Sequence, residues 1–496
     1  MASLDGERSH SILQSALEGL ACVEHRGACS ADDVTGDGTG LTTEIPFDLL
    51  GIDPESHAVA SLMTPSEPDR RETALRVFRE TFRFFGLEVV EIREVPRDEQ
   101  VLGPVARAIL PGMVQAYIKR PEHCRTRTSF DKLLYVARQH TRIKQRENGI
   151  YKEFFFVSLS THTIIYKALT RSEDLARFYP DLRNPRYTTR YALFHRRFST
   201  NTITAWDKVQ PFRLIAHNGE INTISGNRSW SYSREKDLGL REDELLTKSG
   251  ISDTGSLNEM VEALLYRSTL TDISEVLSIT MPPAGRKEPF YKLWSRGLEP
   301  WDGPALVAFT DGMTIGARLD RNGFRPCRWV ATPNRFYLSS EAGTFRVDEA
   351  EVVRKGSLGA GRGVKVNVED GRINFLDASM YSRNRGATFD ARLIPCVHPS
   401  GMSPRKPEEW SAERHQERLA LFMYAKEDVD DTLAPMAVDG KEPIGSMGDT
   451  APPAILSSQP RSLFDYFYQN FAQVTNPPLD YIREEMVTDL TTYLGR

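Results

Sequence analysis

Short apolar runs separated by turn residues fill the chain between residues 154 and 376, and they constrain its fold more than any other feature. Asp-Gly divides ALVAFT from MTIGARL and divides VKVNVE from RINF, and an Asp-Gly pair between apolar runs is a strong hairpin signal. FFFVSL and TIIYKAL flank a Ser-Thr-His turn and predict another hairpin, while YALFHRRFST and PFRLIAHNGE predict two strands that end in polar clusters. The pattern predicts a body of antiparallel strands.

Helices are predicted around this body. Ile12, Leu13, Ala16, Leu17 and Leu20 recur at helical spacing behind Ser9, which predicts an amphipathic helix with a serine cap. The same spacing predicts a second helix within residues 70–86. Both helices need a partner for their apolar faces.

A Pro- and Ser-rich stretch, HPSGMSPRKPEEWS, marks a boundary near residue 400. Beyond it we predict a helical region at 411–437, an extended loop at 439–461 and a helical aromatic stripe in SLFDYFYQNFAQV. The predicted organisation is a first domain at 1–400, a connector at 401–460 and the start of a further domain at 461–496.

The balance of charge excludes several classes of partner. The 496 residues include 63 Lys and Arg against 68 Asp and Glu, a formal net charge of −5. This balance argues against binding to nucleic acid or to an anionic membrane surface. The five cysteines, Cys22, Cys29, Cys124, Cys327 and Cys396, are too scattered for a disulfide scaffold, so we expect a reducing, cytoplasmic compartment.

Common catalytic and metal-binding motifs do not occur in the sequence. It contains no HExxH, no paired CxxC, no GxxxxGK[ST] and no GxSxG. GDGTG at 36–40 follows a polar loop and not a strand, so we interpret it as a turn and not as a phosphate cradle. We therefore expect no metal site in this chain.

Three polar segments together point to one kind of ligand. They contain Arg197 in HRRFSTNT, Asn218-Gly219 in AHNGE and Asp253 in ISDTGSLN. Arginine binds a carboxylate through two hydrogen bonds, Asp253 would pair with an ammonium group, and an Asn amide beside a Gly N–H can form an oxyanion hole. The set complements an amino acid whose side chain carries an amide or ester.

Each segment also has an ordinary structural explanation. Arg197 fits a salt bridge, Asn218-Gly219 fits a tight turn, and Asp253 fits a helix cap. None of the five cysteines has a recognisable general base nearby in the sequence, so the nucleophile of an amide hydrolysis is not evident.

Longer blocks resemble one known family. VEHRGACSADDVTGDGTGLTTEIP, HRRFSTNT, PFRLIAHNGEINTISGNRSW, LDRNGFRPCRW and SSEAG occur in the order seen in the large subunit of glutamate synthase. They resemble its N-terminal class II glutamine amidotransferase domain, and FAQVTNPPLDYIREE resembles the start of its central domain. The resemblance covers nearly the whole chain.

The resemblance implies an α+β fold of the N-terminal-nucleophile hydrolase type, a four-layer αββα sandwich followed by part of an α/β central domain. It implies that glutamine is hydrolysed to glutamate and ammonia. Arg197 and Asp253 would hold the α-groups of glutamine, Thr200 and Asn201 would line the pocket, and Asn218 with Gly219 would form the oxyanion hole.

The resemblance also implies groups that we do not find in this segment. The family nucleophile is an N-terminal cysteine that heads a Cys-Gly-Val-Gly-Phe strand, which the sequence from Met1 to Arg8 does not match. We therefore expect this chain alone to be inactive, and we assign the nucleophile neither to Ser3 nor to Cys29. FMN, an iron–sulfur cluster and the amination of 2-oxoglutarate belong to the remainder of the family enzyme, carried on a separate chain or a further C-terminal part.

Two other functions remain open from the sequence. The chain fits a non-catalytic glutamine-binding subunit that docks on a separate flavin protein, or a complete amidotransferase of another pathway, although NPPLDYIREE argues against the latter. Whether the electron donor is ferredoxin or a nicotinamide is determined outside this segment. The plastid stroma is the alternative compartment for a chain from a photosynthetic eukaryote.

Overall fold

The computed structural model describes most of the strand-rich part of the chain. The described residues are 1–197, 205–241, 244, 246–247, 250–284, 289–295, 297–377, 409–426, 428–440, 454–458, 460–461 and 463–466.

Within the described residues, sixteen strands form antiparallel pairs in four sheets. In sheet order they are β7-β2-β8, β1-β13-β12-β14, β4-β5-β3-β6 and β16-β15-β11-β10-β9. The strands are β1 Ala2–Ser3, β2 Thr39–Glu44, β3 His57–Thr64, β4 Glu88–Glu94, β5 Gly112–Lys119, β6 Phe155–Ser160, β7 Thr163–Ala168, β8 Ala192–Arg196, β9 Ile215–Gly219, β10 Ala305–Thr310, β11 Thr314–Leu319, β12 Arg328–Ala331, β13 Arg335–Ser339, β14 Arg354–Ser357, β15 Gly363–Asn367 and β16 Ile373–Leu376.

Twelve α-helices lie in the described part of the chain. They are α1 His10–Cys22, α2 Phe47–Leu50, α3 Pro68–Phe84, α4 Pro104–Ala108, α5 Arg127–Glu147, α6 Leu175–Phe178, α7 Ile224–Asp237, α8 Asp253–Arg267, α9 Ile273–Thr280, α10 Pro289–Trp294, α11 Ala412–Leu421 and α12 Ala434–Asp439. The helices predicted behind Ser9 and within 70–86 are confirmed as α1 and α3, and the Ser9 hydroxyl accepts a hydrogen bond from the Ser11 N–H. None of these helices is long and apolar enough to cross a bilayer.

The layers follow from the alternation of side chains along each strand. On β10, Ala305, Val307 and Phe309 pack with the helices α8 and α9, whereas Leu306 and Ala308 pack toward β8 and β13. Helices α3 and α5 cover the sheet that contains β3 and β5, and α1 packs on β8 at the far side. Two layers of sheet therefore lie between layers of helix, which confirms the predicted α+β sandwich.

Two of the three predicted hairpins are confirmed. β10 pairs with β11 and β15 pairs with β16, with Gly312 and Gly371 in their turns at φ values of +86° and +68°. Glycine adopts these left-handed conformations without a steric penalty.

The hairpin predicted from FFFVSL and TIIYKAL is wrong. β6 pairs with β3, whereas β7 pairs with β2 in another sheet. A two-residue hairpin turn needs residues with positive φ, and neither Thr161 nor His162 has one. Thr161 instead donates its N–H and its hydroxyl to Asp131, at 2.9 and 2.8 Å, where the chain passes between the sheets.

The chain divides into two compact units, one built on Met1–Ala391 and one on Arg392–Glu484. In the second unit α11 and α12 confirm helical structure within 411–437, although residues 422–425 interrupt it. Most of the predicted loop at 439–461 and most of SLFDYFYQNFAQV lie outside the described residues. The predicted domain boundaries at 400 and 460 stay predictions.

A buried ionic cluster joins α5, α8 and the residues that lead into β9. Both oxygens of Glu262 accept hydrogen bonds from Arg213 at 2.7 Å, and Arg138 donates to Glu262 Oε2 at 2.8 Å. Each of the three side chains is at most 5% exposed. Burial acts to raise the pKa of the Glu262 carboxyl, but the two guanidinium groups outweigh it and hold this pKa below its ordinary value.

We expect Glu262→Ala to lower the free energy of unfolding by about 3–5 kcal/mol, because two buried arginines lose their shared carboxylate. Urea denaturation followed by circular dichroism measures the change. Glu80→Ala is the matched control, since Glu80 forms an i,i+4 pair with Arg76 in which both side chains are more than half exposed. A Glu262→Ala variant as stable as Glu80→Ala would show that the cluster contributes little.

Candidate functional site

A cavity of about 310 Å³ opens where β8 and β9 end and α8 begins. Arg197, Asn218, Gly219 and Asp253, which are distant in sequence, all line it. Thr200 and Asn201, the other two residues predicted for this site, lie outside the described residues. The structure therefore brings four of the six predicted residues together.

Arg197 follows the last residue of β8 in an unusual backbone conformation. Its φ is +84°, a left-handed value that is costly for a residue with a Cβ. The Arg197 N–H donates to the Gly38 carbonyl at 2.8 Å, and its Nε lies 3.2 Å from Asp37 Oδ2. Its side chain is 42% exposed and faces the cavity, so it is available to an anionic ligand.

Asn218 and Gly219 are the last two residues of β9 and do not form the tight turn that Asn-Gly often marks. Asn218 is opposite Leu306 and Gly219 is opposite Ala305 on β10. Gly219 has a φ of +129°, and a Cβ at this position would lie 1.8 Å from the Pro304 carbonyl oxygen. Only glycine fits this strand end, which keeps its backbone accessible from the cavity.

Asp253 is the first residue of α8, and the cap of that helix is its neighbour Ser252. The Ser252 hydroxyl accepts a hydrogen bond from the Gly255 N–H at 3.1 Å. Asp253 Oδ1 accepts from the Thr254 N–H at 2.7 Å, and Oδ2 accepts from the Ile221 N–H at 3.4 Å. The carboxylate is therefore not needed as a cap and lines the cavity, with its side chain 15% exposed.

Two buried histidines connect the strand ends. His195 Nε2 donates to the His217 carbonyl at 3.0 Å, and the Gln210 side chain bonds both the N–H and the carbonyl of His217. Burial lowers the pKa of His195 to about 4, so its imidazole is neutral at physiological pH. Burial also lowers the pKa of His217, although Asp253 acts in the opposite direction. The hydrogen bonds that His195 and Gln210 form with the His217 backbone hold β8 and β9 together beside the cavity.

Sequence reasoning did not single out several residues that line the cavity. These are Arg26, His195, Arg196, Gln210, His217, Glu220, Thr254, Arg325, Pro326, Ser340 and Glu341. Arg26, Arg325 and Ser340-Glu341 fall within the resembling blocks EHRGA, NGFRP and SSEAG. Those blocks were the available signal, but single-residue chemistry gave no reason to choose among their members.

No cysteine lines the cavity among the residues that the structure describes. Cys22 and Cys29 are exposed, and burial raises the pKa of the Cys327 thiol to about 12, which makes it a poor nucleophile. Ser3 lies in β1 and its hydroxyl bonds to Asp5. In the described ranges, no group of three or more His, Cys, Asp or Glu side chains could hold a metal ion.

Two smaller cavities continue from the site along β8 and β13. The first, of about 120 Å³, shares His195 and Asn218 with the main cavity and shares Phe194 and Leu338 with the next. The second, of about 80 Å³, reaches Met1 and Ala2, the first residue of β1, and has a mainly apolar lining. The Met1 carbonyl accepts a hydrogen bond from the N–H of Ala192, the first residue of β8, and β1 pairs with β13, so these cavities follow the direction of β1 toward Asn218.

Comparison with known proteins assigns the chain to a family. The family model of class-II glutamine amidotransferases matches residues 1–383, and that of the glutamate synthase central domain matches residues 417–496. The chain therefore belongs to the class-II glutamine amidotransferase family. The two matches in this order confirm the resemblance to glutamate synthase.

Curated relatives extend over the whole chain. It is 38% identical over 529 residues to ferredoxin-dependent glutamate synthase 2, chloroplastic, of Arabidopsis thaliana, covering 100% of this chain and 32% of the relative. It is also 38% identical to ferredoxin-dependent glutamate synthase 2 of Synechocystis, covering 100% of this chain and 33% of that protein. The chain thus spans about a third of the length of these relatives.

Solved structures give weaker matches. An allosteric regulatory enzyme of purine biosynthesis matches with a TM-score of 0.31 at 18% identity, covering 44% of this chain and 41% of that one. Glutamine phosphoribosylpyrophosphate amidotransferase of B. subtilis matches with a TM-score of 0.30 at 14% identity, covering 65% of this chain and 49% of that one. Scores this low add nothing to the family assignment.

We expect Gly219→Ala to destabilise the protein by about 1–3 kcal/mol, because the new Cβ would meet the Pro304 carbonyl and the left-handed φ would become strained. Urea denaturation measures the loss. Gly226→Ala in α7 is the control, since nothing lies within 4 Å of a Cβ built there, and alanine favours a helix interior. Equal stability of Gly219→Ala and the native chain would contradict a requirement for glycine at this strand end.

Proposed function

We propose that the chain binds L-glutamine in the cavity at the ends of β8 and β9 and polarises its side-chain amide for hydrolysis. One observation carries the proposal. The Arg197 guanidinium, the Asp253 carboxylate and the strand end Asn218-Gly219 line the same cavity. Each of them is predicted from a separate segment of the sequence. Membership of the class-II glutamine amidotransferase family supports the same ligand.

Arg197 and Asp253 would recognise the groups common to α-amino acids. The guanidinium pairs with the α-carboxylate through two parallel N–H···O bonds, and the Asp253 carboxylate pairs with the α-ammonium. Opposite charges on the two residues orient the ligand, because reversing it would bring like charges together. The side chain of glutamine then extends toward β9.

Asn218 and Gly219 would stabilise the oxyanion that forms as the amide is attacked. The Asn218 side-chain amide and the Gly219 N–H are donors, and the absence of a Cβ lets the substrate approach the backbone. Removal of one such donor typically lowers kcat about 10²–10³-fold. The neutral His195 and His217 keep this strand end in place without competing for the developing charge.

The resemblance implies a nucleophile that heads a Cys-Gly-Val-Gly-Phe strand, and we propose that such a strand continues β1 through the cavities between β8 and β13. Its thiolate would attack the amide carbon, and its α-amine, with a typical pKa of about 7.7–8.0, would take the thiol proton and return it to the departing ammonia. Water would then hydrolyse the thioester to release glutamate.

In the whole protein we propose that the ammonia aminates 2-oxoglutarate at a flavin site that also uses an iron–sulfur cluster. The names of the relatives favour ferredoxin as the electron donor of the whole protein. Some of these relatives are named as chloroplastic, which favours a plastid compartment if the source is a photosynthetic eukaryote. For any other source we propose the cytoplasm. We propose that the part played by this chain is the release of ammonia from glutamine.

The alternative is a glutamine-binding subunit without hydrolytic activity that docks on a flavin protein. The binding groups of the cavity are in place while no described cysteine lines it, which favours this candidate. Binding and ammonia release, measured on the same protein, separate the two functions.

Titration of the chain with L-glutamine in a calorimeter tests the binding. We expect Arg197→Ala to raise Kd about 10- to 100-fold, because a charged hydrogen-bond pair is lost. Arg372→Ala is the control, since Arg372 lies outside the cavity and is 73% exposed. Absence of heat at millimolar glutamine, or equal binding by Arg197→Ala, would refute the assignment of the cavity.

Ammonia release from glutamine tests the hydrolysis. We expect none from the chain as it stands and release from a version with Cys-Gly-Val-Gly-Phe placed ahead of it at a free N-terminus. The same version with Asn218→Ala should lose most of its activity. Release by the unextended chain would show that the nucleophile is among its own residues, whereas binding without release by either form would favour the non-catalytic subunit.

A further inference from the structure

Arg196 and Arg197 are adjacent, yet the structure gives them different tasks. The Arg196 side chain is 1% exposed and donates Nε and Nη2 to the two oxygens of Glu24, each at 2.9 Å. It also donates Nη1 to the Gly38 carbonyl at 3.1 Å. Arg196 is therefore fully engaged within the protein, whereas Arg197, with 42% of its side chain exposed, is the one of the pair that is available to a ligand in the cavity.

Asp37 lies between the two arginines. Its Oδ1 accepts a hydrogen bond from Arg196 Nη1, and its Oδ2 faces Arg197 Nε at 3.2 Å. Oδ2 is buried and makes no hydrogen bond with any described residue. Oδ1 is thus bound by the buried Arg196, and Oδ2 faces the more exposed Arg197.

The loop that carries Asp37 is also fixed by contacts that do not involve the Arg197 side chain. The Asp37 N–H donates to the Ala28 carbonyl at 3.0 Å, and Cys29 forms a bridge with Gly36. Burial raises the pKa of the Asp37 carboxyl, and both arginines oppose that rise. The carboxylate is therefore a rigid acceptor whose charge is supported by Arg196.

The ion-pair contact at Nε constrains the direction of the guanidinium. The group is planar, so a contact at Nε on one edge turns the Nη1 and Nη2 end away from Asp37. A free arginine side chain carries about 2 kcal/mol of rotamer entropy, which a ligand must overcome if the side chain is not already ordered. Pre-orientation therefore improves affinity without a contact between Asp37 and the ligand.

We propose that Asp37 is a positioning residue that orients Arg197 for the α-carboxylate of the substrate, with Arg196 as its buried counter-charge. This inference rests on the proposed function and adds to it a residue from a different segment of the chain. Asp37 touches Arg197 and is not placed in contact with the substrate.

Calorimetric titration of Asp37→Asn with two ligands tests the proposal. L-glutamine carries the α-carboxylate, and L-glutamine α-amide carries a neutral carboxamide in its place. We expect Asp37→Asn to raise Kd for L-glutamine about tenfold, or about 1.4 kcal/mol, and to leave Kd for the α-amide unchanged. A general structural defect would weaken both ligands equally, so the ratio of the two constants isolates positioning.

Asp32→Asn is the matched control. Asp32 lies in the same loop, accepts hydrogen bonds from Thr35 and Val105, and contacts neither arginine. Its variant should keep the native ratio of the two dissociation constants. Melting temperatures of both variants report whether the loop has kept its fold.

A spectroscopic measurement decides the contact itself, whatever the ligand does. In a ¹⁵N correlation spectrum of arginine side chains, the Nε–H signal that disappears in Arg197→Lys belongs to Arg197. We expect this signal to be shifted by the neighbouring carboxylate in the native chain, and to move to that of a solvated arginine in Asp37→Asn.

The outcomes separate the two proposals. If Arg197→Ala loses glutamine while Asp37→Asn keeps native affinity and ratio, the positioning role is overturned and the proposed function stands. If the native chain binds no glutamine, the proposed function fails, and an unchanged Arg197 signal in Asp37→Asn would overturn the positioning contact as well.

Discussion

The arrangement of the site depends on the hydrogen bonds that the buried carboxylate of Glu262 accepts. Glu262 joins Arg138 of α5 to Arg213, two residues before β9, and it lies on the same helix that begins with Asp253. Asn258, one turn earlier, accepts from the Leu214 N–H at 2.9 Å and strengthens the same connection. Since a buried charge without its partner is costly, α8 and β9 cannot shift independently. The cluster thereby sets the position of Asp253 relative to Asn218.

A second charged network does the same for β8. Glu24 and Asp37 come from the segment after α1, and Arg196 binds both of them in the interior. The backbone of Arg197 is held at a left-handed φ by the Gly38 carbonyl. Each half of the proposed glutamine complement, the arginine that follows β8 and the acid that begins α8, is therefore positioned by a charged network with a buried side chain at its centre. This arrangement is typical of sites in which a rigid support keeps binding groups oriented.

Local sequence predicted much of the fold because its signals act over a few residues. Ser9 capped the first helix as expected, and the two Asp-Gly turns formed hairpins, since caps and turns depend on neighbouring backbone groups. The third predicted hairpin, from FFFVSL and TIIYKAL, is wrong because the pairing of these strands depends on residues distant in sequence. Apolar runs such as FFFVSL fit any buried strand, and contacts such as that between Thr161 and Asp131, thirty residues apart, accompany the passage into another sheet.

For the site, the sequence by itself determined the chemical inventory: an arginine, an acid and an Asn-Gly pair, together with the blocks that resemble glutamate synthase. Only the tertiary structure decided that these groups line one cavity, that Asn218-Gly219 is a strand end, and that the cap of α8 is Ser252. It also decided that Arg197 is the exposed one of two adjacent arginines, because Arg196 forms buried ion pairs with Glu24 and Asp37. Residue type sets what a side chain can bind, whereas long-range packing sets what it meets and whether solvent or a ligand can reach it.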